Sequence, residues 1–387
     1  MSTNSVAWRN PRLAGRIPEL DGIRGLAILL VLLYHYFLLG FHPAIHTWQW
    51  YAQAPLRLAW SGVDLFFVLS GFLIGGILCD AKNSDSYYKT FYARRIHRIF
   101  PLYFLWVAIF LVGLFLTGPE SPSPLRSLFN RDLPLWPYFV FLQNFFMSAH
   151  RDFGAQWLRI TWSLAVEEQF YLVLPWIVRT FTTRGLAIVT AASVLCAPIF
   201  RYVLWLSGND YFGPYTLLLS RADGLGMGVL IAIACRNERT WTWLAERRKY
   251  LYPALLVFGC GTALLYLRHY LEDRPFYVFG LSWVAAFYAT LLTLTVVNPG
   301  RIETSIFRNV LLGKLGTIAY AVYIFHEGTN RLLHFAVFGT EPNIKDWQSL
   351  AITLLSVVIV MVLAAVSWRF MEKPLIRSAH TKYLYAN

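Results

Sequence analysis

The sequence predicts an all-α, polytopic membrane protein with about ten transmembrane helices, and three observations carry that prediction. Of its 387 residues, 57% are hydrophobic and only 14% charged, where a soluble chain carries roughly 25% charged residues. The apolar residues fall in blocks of about 20, the length that crosses a bilayer core. The lysines and arginines gather between alternate blocks, as loops on one side of a membrane do.

Taken in order, the predicted spans lie at about 23–41, 57–79, 99–117, 161–179, 185–206, 214–235, 250–267, 276–297, 311–335 and 348–370. The first is too long for a signal-peptide core and lacks a small-residue cleavage site, so it reads as a retained span. A shorter apolar stretch, Tyr138–Met147, cannot cross alone and is expected to be re-entrant within an external loop 118–160. That loop opens with the turn-rich "GPESPSP" of 118–124. With ten spans, 23 of the 34 lysines and arginines fall on the side of the N-terminus and 8 on the other. The positive-inside rule then makes both termini cytoplasmic. The expected organisation is a tail 1–22, a membrane domain 23–370 and a tail 371–387, with no appended soluble domain.

The net charge of +13 is accounted for by those inside loops, so no nucleic-acid partner is expected. Cys79, Cys196, Cys235 and Cys260 lie in or beside apolar runs. Their spacing suits neither a disulfide framework nor a metal site, and they read as small buried hydrophobes. No metal is expected.

Ionisable residues inside spans are costly and mark functional paths. In "LDGIRGLAILLVLLYHYFLLGF" (20–41), Arg24 and His35 are eleven residues apart. On a regular α-helix that is three turns plus roughly 20°, one face, with about 16 Å between them along the axis. An interfacial anchor is the alternative for Arg24, and a hydrogen-bonded structural imidazole for His35. Asp64, in "GVDLFFVLSGFLIGG" (62–76), falls in the outer part of the next span, where it could orient His35 or cap a helix N-terminus. Gly71, Gly75 and Gly76 of the same stretch permit close helix approach.

"FYARRIHRIFPLYF" (91–104) sets Arg94, Arg95 and Arg98 at the mouth of the third span. Arg94 and Arg98 share an i,i+4 face suited to an anionic phosphate group, or to plain positive-inside anchoring. "TWSLAVEEQFYLVLP" (161–175) places Ser163, Glu167 and Tyr171 on one stripe with Glu168 beside it. Arg221 and Asp223 in "SRADGLGMGVL", and His326 with Glu327 in "AYAVYIFHEG", extend the set. Helices must converge on a central polar cavity to shelter these groups.

These motifs, in this order and across nearly the whole chain, resemble the acyltransferase family 3 integral-membrane proteins. The matching segments are LDGIRGLA…H, GVDLFFVLSGFLI, RRIHRIFPLY, TWSLAVEEQFYLVLP, SRADGLGMG, LGTIAYAVYIFH and RFMEKP (369–374). The resemblance implies a bacterial cytoplasmic (inner) membrane enzyme that moves an acyl group, by default acetyl from acetyl-CoA, to a hydroxyl of an envelope glycan or glycolipid. It maps the family's essential pair onto Arg24 and His35, its arginine motif onto Arg94 and Arg98, and its WSLxxE motif onto Ser163 and Glu167. The extra esterase-like domain of some members is not in this sequence, and Glu327–Gly328 after His326 departs from the family's less acidic pattern.

The joint expectation is His35 as general base, because a sugar hydroxyl is a weak nucleophile near neutral pH. Arg24, Asp64 and Glu167 support it, with Arg94, Arg95 and Arg98 on the donor. Ser163, Tyr171, Arg221, Asp223 and His326 are expected on the substrate. The competing reading is a transporter or flippase whose buried Arg, His and Glu line a path for an anionic or glycan substrate.

Overall fold

The computed structural model describes residues 10, 15, 17–43, 47–209, 211–268 and 276–386, and every regular element among them is helical. Ten long helices form the body: α1 (Pro18–Leu32), α2 (Gly62–Asp80), α3 (Tyr87–Leu116), α4 (Thr161–Thr180), α5 (Thr183–Leu206), α6 (Leu218–Ala234), α7 (Leu251–Arg268), α8 (Leu281–Val297), α9 (Ala319–Phe338) and α10 (Trp347–Ser367). Among the described residues, seven helical stretches are long and apolar enough to cross a membrane: 18–38, 48–80, 87–116, 183–206, 212–234, 276–297 and 347–382. The remaining predicted spans, 161–179, 250–267 and 311–335, also fall on helices, namely α4, α7 and the pair Val310–Thr317 and α9. Large apolar side chains such as Phe115, Leu195, Leu256 and Val358 stand on the outside of the bundle, as a lipid-facing surface requires. Cys235 is buried, but Cys196 and Cys260 are exposed on that outer surface, so the expectation of four buried cysteines fails for those two.

Helix α1 starts with Pro18 in its first turn and Glu19 and Asp21 beside it, which suits the positive end of the helix dipole. Glu19 is fully buried and accepts from Arg308 Nε at 2.5 Å and from the Gly300 backbone N–H at 2.9 Å, fixing the start of α1 against a neighbouring turn. The α-helix ends at Leu32, and residues Leu33–Leu38 continue as a π-helix. Such wide turns re-aim side chains and occur often at functional sites. The face arithmetic of a regular helix therefore does not reach His35.

Glycines allow a close approach between α2 and α6. A Cβ on Gly71 would overlap the Leu225 carbonyl, and one on Gly228 would overlap the Val68 carbonyl. The two backbones touch, which only hydrogen side chains permit. The stretch expected to be re-entrant, Tyr138–Met147, falls on the short helices Trp136–Phe139 and Gln143–His150. The second is packed inward: Gln143 Nε2 donates to the Thr161 carbonyl at 3.0 Å, and Asn144 Nδ2 to that of Thr216, also at 3.0 Å.

The segment expected to be a C-terminal tail is folded. Helix α10 runs through a π turn, Trp368–Glu372, into α11 (Lys373–Lys382). Residues 383–386 then lie along the start of α3. Ser86 Oγ and Thr90 Oγ1 donate to the Leu384 carbonyl at 2.7 and 2.9 Å, and Arg94 Nε donates to that of Tyr383 at 2.9 Å.

Candidate functional site

Two cavities open along the first span, toward opposite ends. The first, about 240 Å³, is lined by Arg24, Arg95 and Arg98, by Ser163, Glu167 and Tyr171, and by apolar residues of α1 and α2 that include Ile28, Val31 and Phe67. The second, about 180 Å³, is lined by His35 and Tyr36 of the π turn, by Arg159, and by Glu327, Asn330 and Arg331 of α9. Arg24 and His35 thus belong to different cavities, not to one continuous wall. The Val31 carbonyl lies between them along the chain, and His35 Nδ1 binds it at 2.9 Å.

The arginine cavity keeps the stripe that helical spacing gives on α4. Ser163, Glu167 and Tyr171 all face it. Ser163 Oγ lies 2.6 Å from Tyr323 Oη, and Tyr171 Oη lies 2.6 Å from Ser70 Oγ. Arg24 Nη1 pairs with Asp21 at 3.0 Å, and the Arg95 guanidinium lies 5.6 Å over the Tyr171 ring. Arg94 does not join them. Its guanidinium binds the Tyr383 carbonyl and sits 5.1 Å over Tyr385, so the arginines that line the cavity are Arg24, Arg95 and Arg98.

In the second cavity His35 meets His326, with ring centroids 4.8 Å apart. A carbonyl oxygen can only accept, so the contacts of His35 Nδ1 with Val31 and of His326 Nδ1 with Tyr323 (2.6 Å) place a proton on each Nδ1. Each neutral imidazole then carries its lone pair on Nε2. Glu327 is buried beside them. Its Oε1 is shared by Arg159 and by Arg331 at 3.2 Å, while Arg331 also reaches Glu341 at 2.7 Å.

Asp64 does not support His35. Its Oδ1 is paired with Arg221 Nη2 at 2.5 Å, and both residues are buried. Asp223 holds Arg201 at 2.9 Å and Ser282 at 2.6 Å. These two ion pairs join α2, α5, α6 and α8 and line neither cavity, so Asp64, Arg221 and Asp223 leave the expected substrate path. Glu167 also lies away from His35, in the arginine cavity. The carboxylate beside the imidazoles is Glu327, which the sequence marks as an ionisable residue within a span but does not pair with His35. Arg159 falls in the predicted loop 118–160 and Arg331 in the predicted span 311–335, and local spacing links neither to Glu327's site.

A metal ion could draw on His35, His326 and Glu327, whose ligand atoms lie within 4.8 Å of one another. A tetrahedral ion with bonds of about 2.0–2.1 Å needs ligand atoms roughly 3.4 Å apart, so the set must contract. Two guanidiniums already occupy the carboxylate, and their charge opposes a dication there.

Fold and site together define a polytopic membrane protein with a histidine pair at one cavity and an arginine cluster at another. A family model described as an acyltransferase domain matches residues 17–369, and the chain belongs to that family. It is 26% identical over 385 residues to Peptidoglycan O-acetyltransferase OatA of Listeria monocytogenes, covering 95% of this chain and 57% of the relative. It is 28% identical over 379 residues to Putative peptidoglycan O-acetyltransferase YrhL of Bacillus subtilis, covering 93% and 55%. It is 24% identical over 384 residues to O-acetyltransferase OatA of Staphylococcus aureus, covering 93% and 57%. The chain therefore spans a little over half the length of these curated relatives. No solved structure matches it.

Proposed function

We propose that this chain is a membrane O-acetyltransferase that moves an acetyl group from acetyl-CoA, held in the arginine cavity, to a hydroxyl of a cell-wall glycan seated in the second cavity. Ten crossings with both termini in the cytoplasm, in the cytoplasmic membrane of a bacterium, complete the reading. They put the arginine cavity on the side of the acyl donor. The observation that carries the proposal is the separation on one span of Arg24 and His35, which line cavities toward its opposite ends. The names of the relatives add the acetyl group and the glycan.

The arginine cavity suits a phosphorylated donor with a slim arm. Arg24, Arg95 and Arg98 gather at a cavity whose other walls are largely apolar, and guanidinium pairs well with phosphate oxygens. Ser163, Tyr171 and Tyr323 offer hydroxyls to a donor amide. His35 Nε2 takes the proton from the acceptor hydroxyl as its oxygen attacks the thioester carbonyl. The new C–O bond forms, the C–S bond breaks, and His35 returns the proton to the departing thiolate. One ester and one free thiol result. The backbone bond at Nδ1 holds the ring in the required tautomer, and the nearby Glu327 carboxylate favours the imidazolium as it forms.

The test is purified protein in nanodiscs, supplied with acetyl-CoA and peptidoglycan fragments, with free thiol and O-acetyl ester both measured. Equal release of thiol and ester, lost in His35→Ala, supports the reading. Glycan movement without thiol release would replace the enzyme with a carrier.

A further inference from the structure

The second cavity contains more hydrogen-bond acceptors than the protein uses. Glu327 and Asn330 line it, and each is about 5% exposed or less. Glu327 Oε2 and Asn330 Oδ1 have no hydrogen-bond partner among the described residues. His35 adds a third acceptor, because its Nδ1 is committed to the Val31 carbonyl and its lone pair lies on Nε2.

The cations at this cavity are already engaged. Arg159 and Arg331 both bind the other oxygen of Glu327, and Arg331 also binds Glu341. Glu341 in turn accepts from Ser127 Oγ at 2.9 Å. Two arginines face two glutamates, so their formal charges cancel. Two buried acceptors, Glu327 Oε2 and Asn330 Oδ1, remain without a donor, an arrangement that a ligand hydroxyl would relieve.

We infer that the second cavity is a subsite for a neutral, hydroxyl-rich sugar ring, with Glu327 Oε2 and Asn330 each accepting a hydroxyl proton while His35 faces the hydroxyl to be acylated. This rests on the acyl-transfer reading and adds the acceptor's chemistry and two specificity-determining residues. A carboxylated sugar is disfavoured even though two arginines are present. Its carboxylate would add an acceptor-only group beside Glu327 Oε2 and Asn330 Oδ1, and a negative charge to a cavity whose formal charges already cancel.

Binding without donor separates the subsite from the chemistry. The full chain in nanodiscs is titrated with chitotetraose, which is neutral, and with tetragalacturonate, which is anionic, and thermal stabilisation is followed. The expected result is binding of chitotetraose over tetragalacturonate. Asn330→Ala should weaken that binding about threefold to tenfold, and Glu327→Gln about tenfold or more. Asn330→Ala removes no ion-pair partner, so it keeps the test valid if Glu327→Gln does not fold. Preference for tetragalacturonate, equal binding by the Asn330 variant, or no binding of chitotetraose would each overturn the inference. Thiol release from acetyl-CoA is read separately. Sugar binding without thiol release would leave the subsite and remove the acyl-transfer reading, whereas thiol release with anionic acceptors preferred would do the reverse.

Discussion

His35 and His326 meet edge to face, with centroids 4.8 Å apart and ring planes at 71°, each fixed through Nδ1 by a carbonyl of its own helical segment. The pair joins the π turn after α1 to α9, and His326 is fully buried while His35 lines the second cavity. The two rings therefore have different expected roles. His35→Gln should lower kcat by about 10²–10⁴, the usual contribution of a general base. His326→Gln should lower kcat less, with donor KM unchanged, because it positions the neighbouring ring without touching the donor cavity. Steady-state kinetics of the two variants distinguish these effects, and equal losses would make the pair one functional unit.

The arginine motif divides in space. Arg95 and Arg98 line the first cavity, and each change to Gln should raise donor KM about tenfold or more. Arg94 holds residues 383–386 against α3. Arg94→Gln should leave donor KM near its starting value and expose the C-terminus to protease, as read by limited proteolysis. A large rise in donor KM in that variant, with the C-terminus still protected, would return Arg94 to the donor site.

The buried pair of Asp64 and Arg221 gives a stability prediction rather than a catalytic one. Removing one partner strands a charge in the core and should cost about 3–5 kcal/mol. Asp64→Ala should therefore lower the thermal unfolding temperature and yield of the purified protein, with the folded fraction retaining its kcat. The double change Asp64→Leu with Arg221→Met should recover part of the lost stability, because no lone charge remains. A folded Asp64→Ala protein with a kcat as low as that of His35→Gln would contradict this assignment.

Features set by regular helical spacing were legible in the sequence. Ser163, Glu167 and Tyr171 repeat every four residues, α4 is an unbroken α-helix, and all three reach one cavity. Arg24 lies on the regular part of its span, and the run of apolar blocks marks where the helices fall. What the sequence hid depends on irregular turns or distant partners. The π turn at Leu33–Leu38 makes the span irregular at His35, which α-helical arithmetic does not foresee. Asp64 finds Arg221 157 positions away, and Arg94 finds Tyr383 289 positions away. Neither partner can be read from local spacing, and both pairings beat the nearer roles that spacing suggested. Glu327 is visible in the sequence as an acid within a span, but its partners Arg159 and Arg331 meet it only in the folded chain.

The most direct test of two cavities serving one histidine is a sided reaction. The protein is reconstituted in one orientation in sealed vesicles, with acetyl-CoA confined to the side on which the arginine cavity opens and the glycan to the side of Glu327. Ester should form on the glycan as thiol appears on the donor side, and His35→Ala should abolish both. Ester formed only when donor and glycan share one side, or formed equally by His35→Ala, would contradict transfer across the His35 partition.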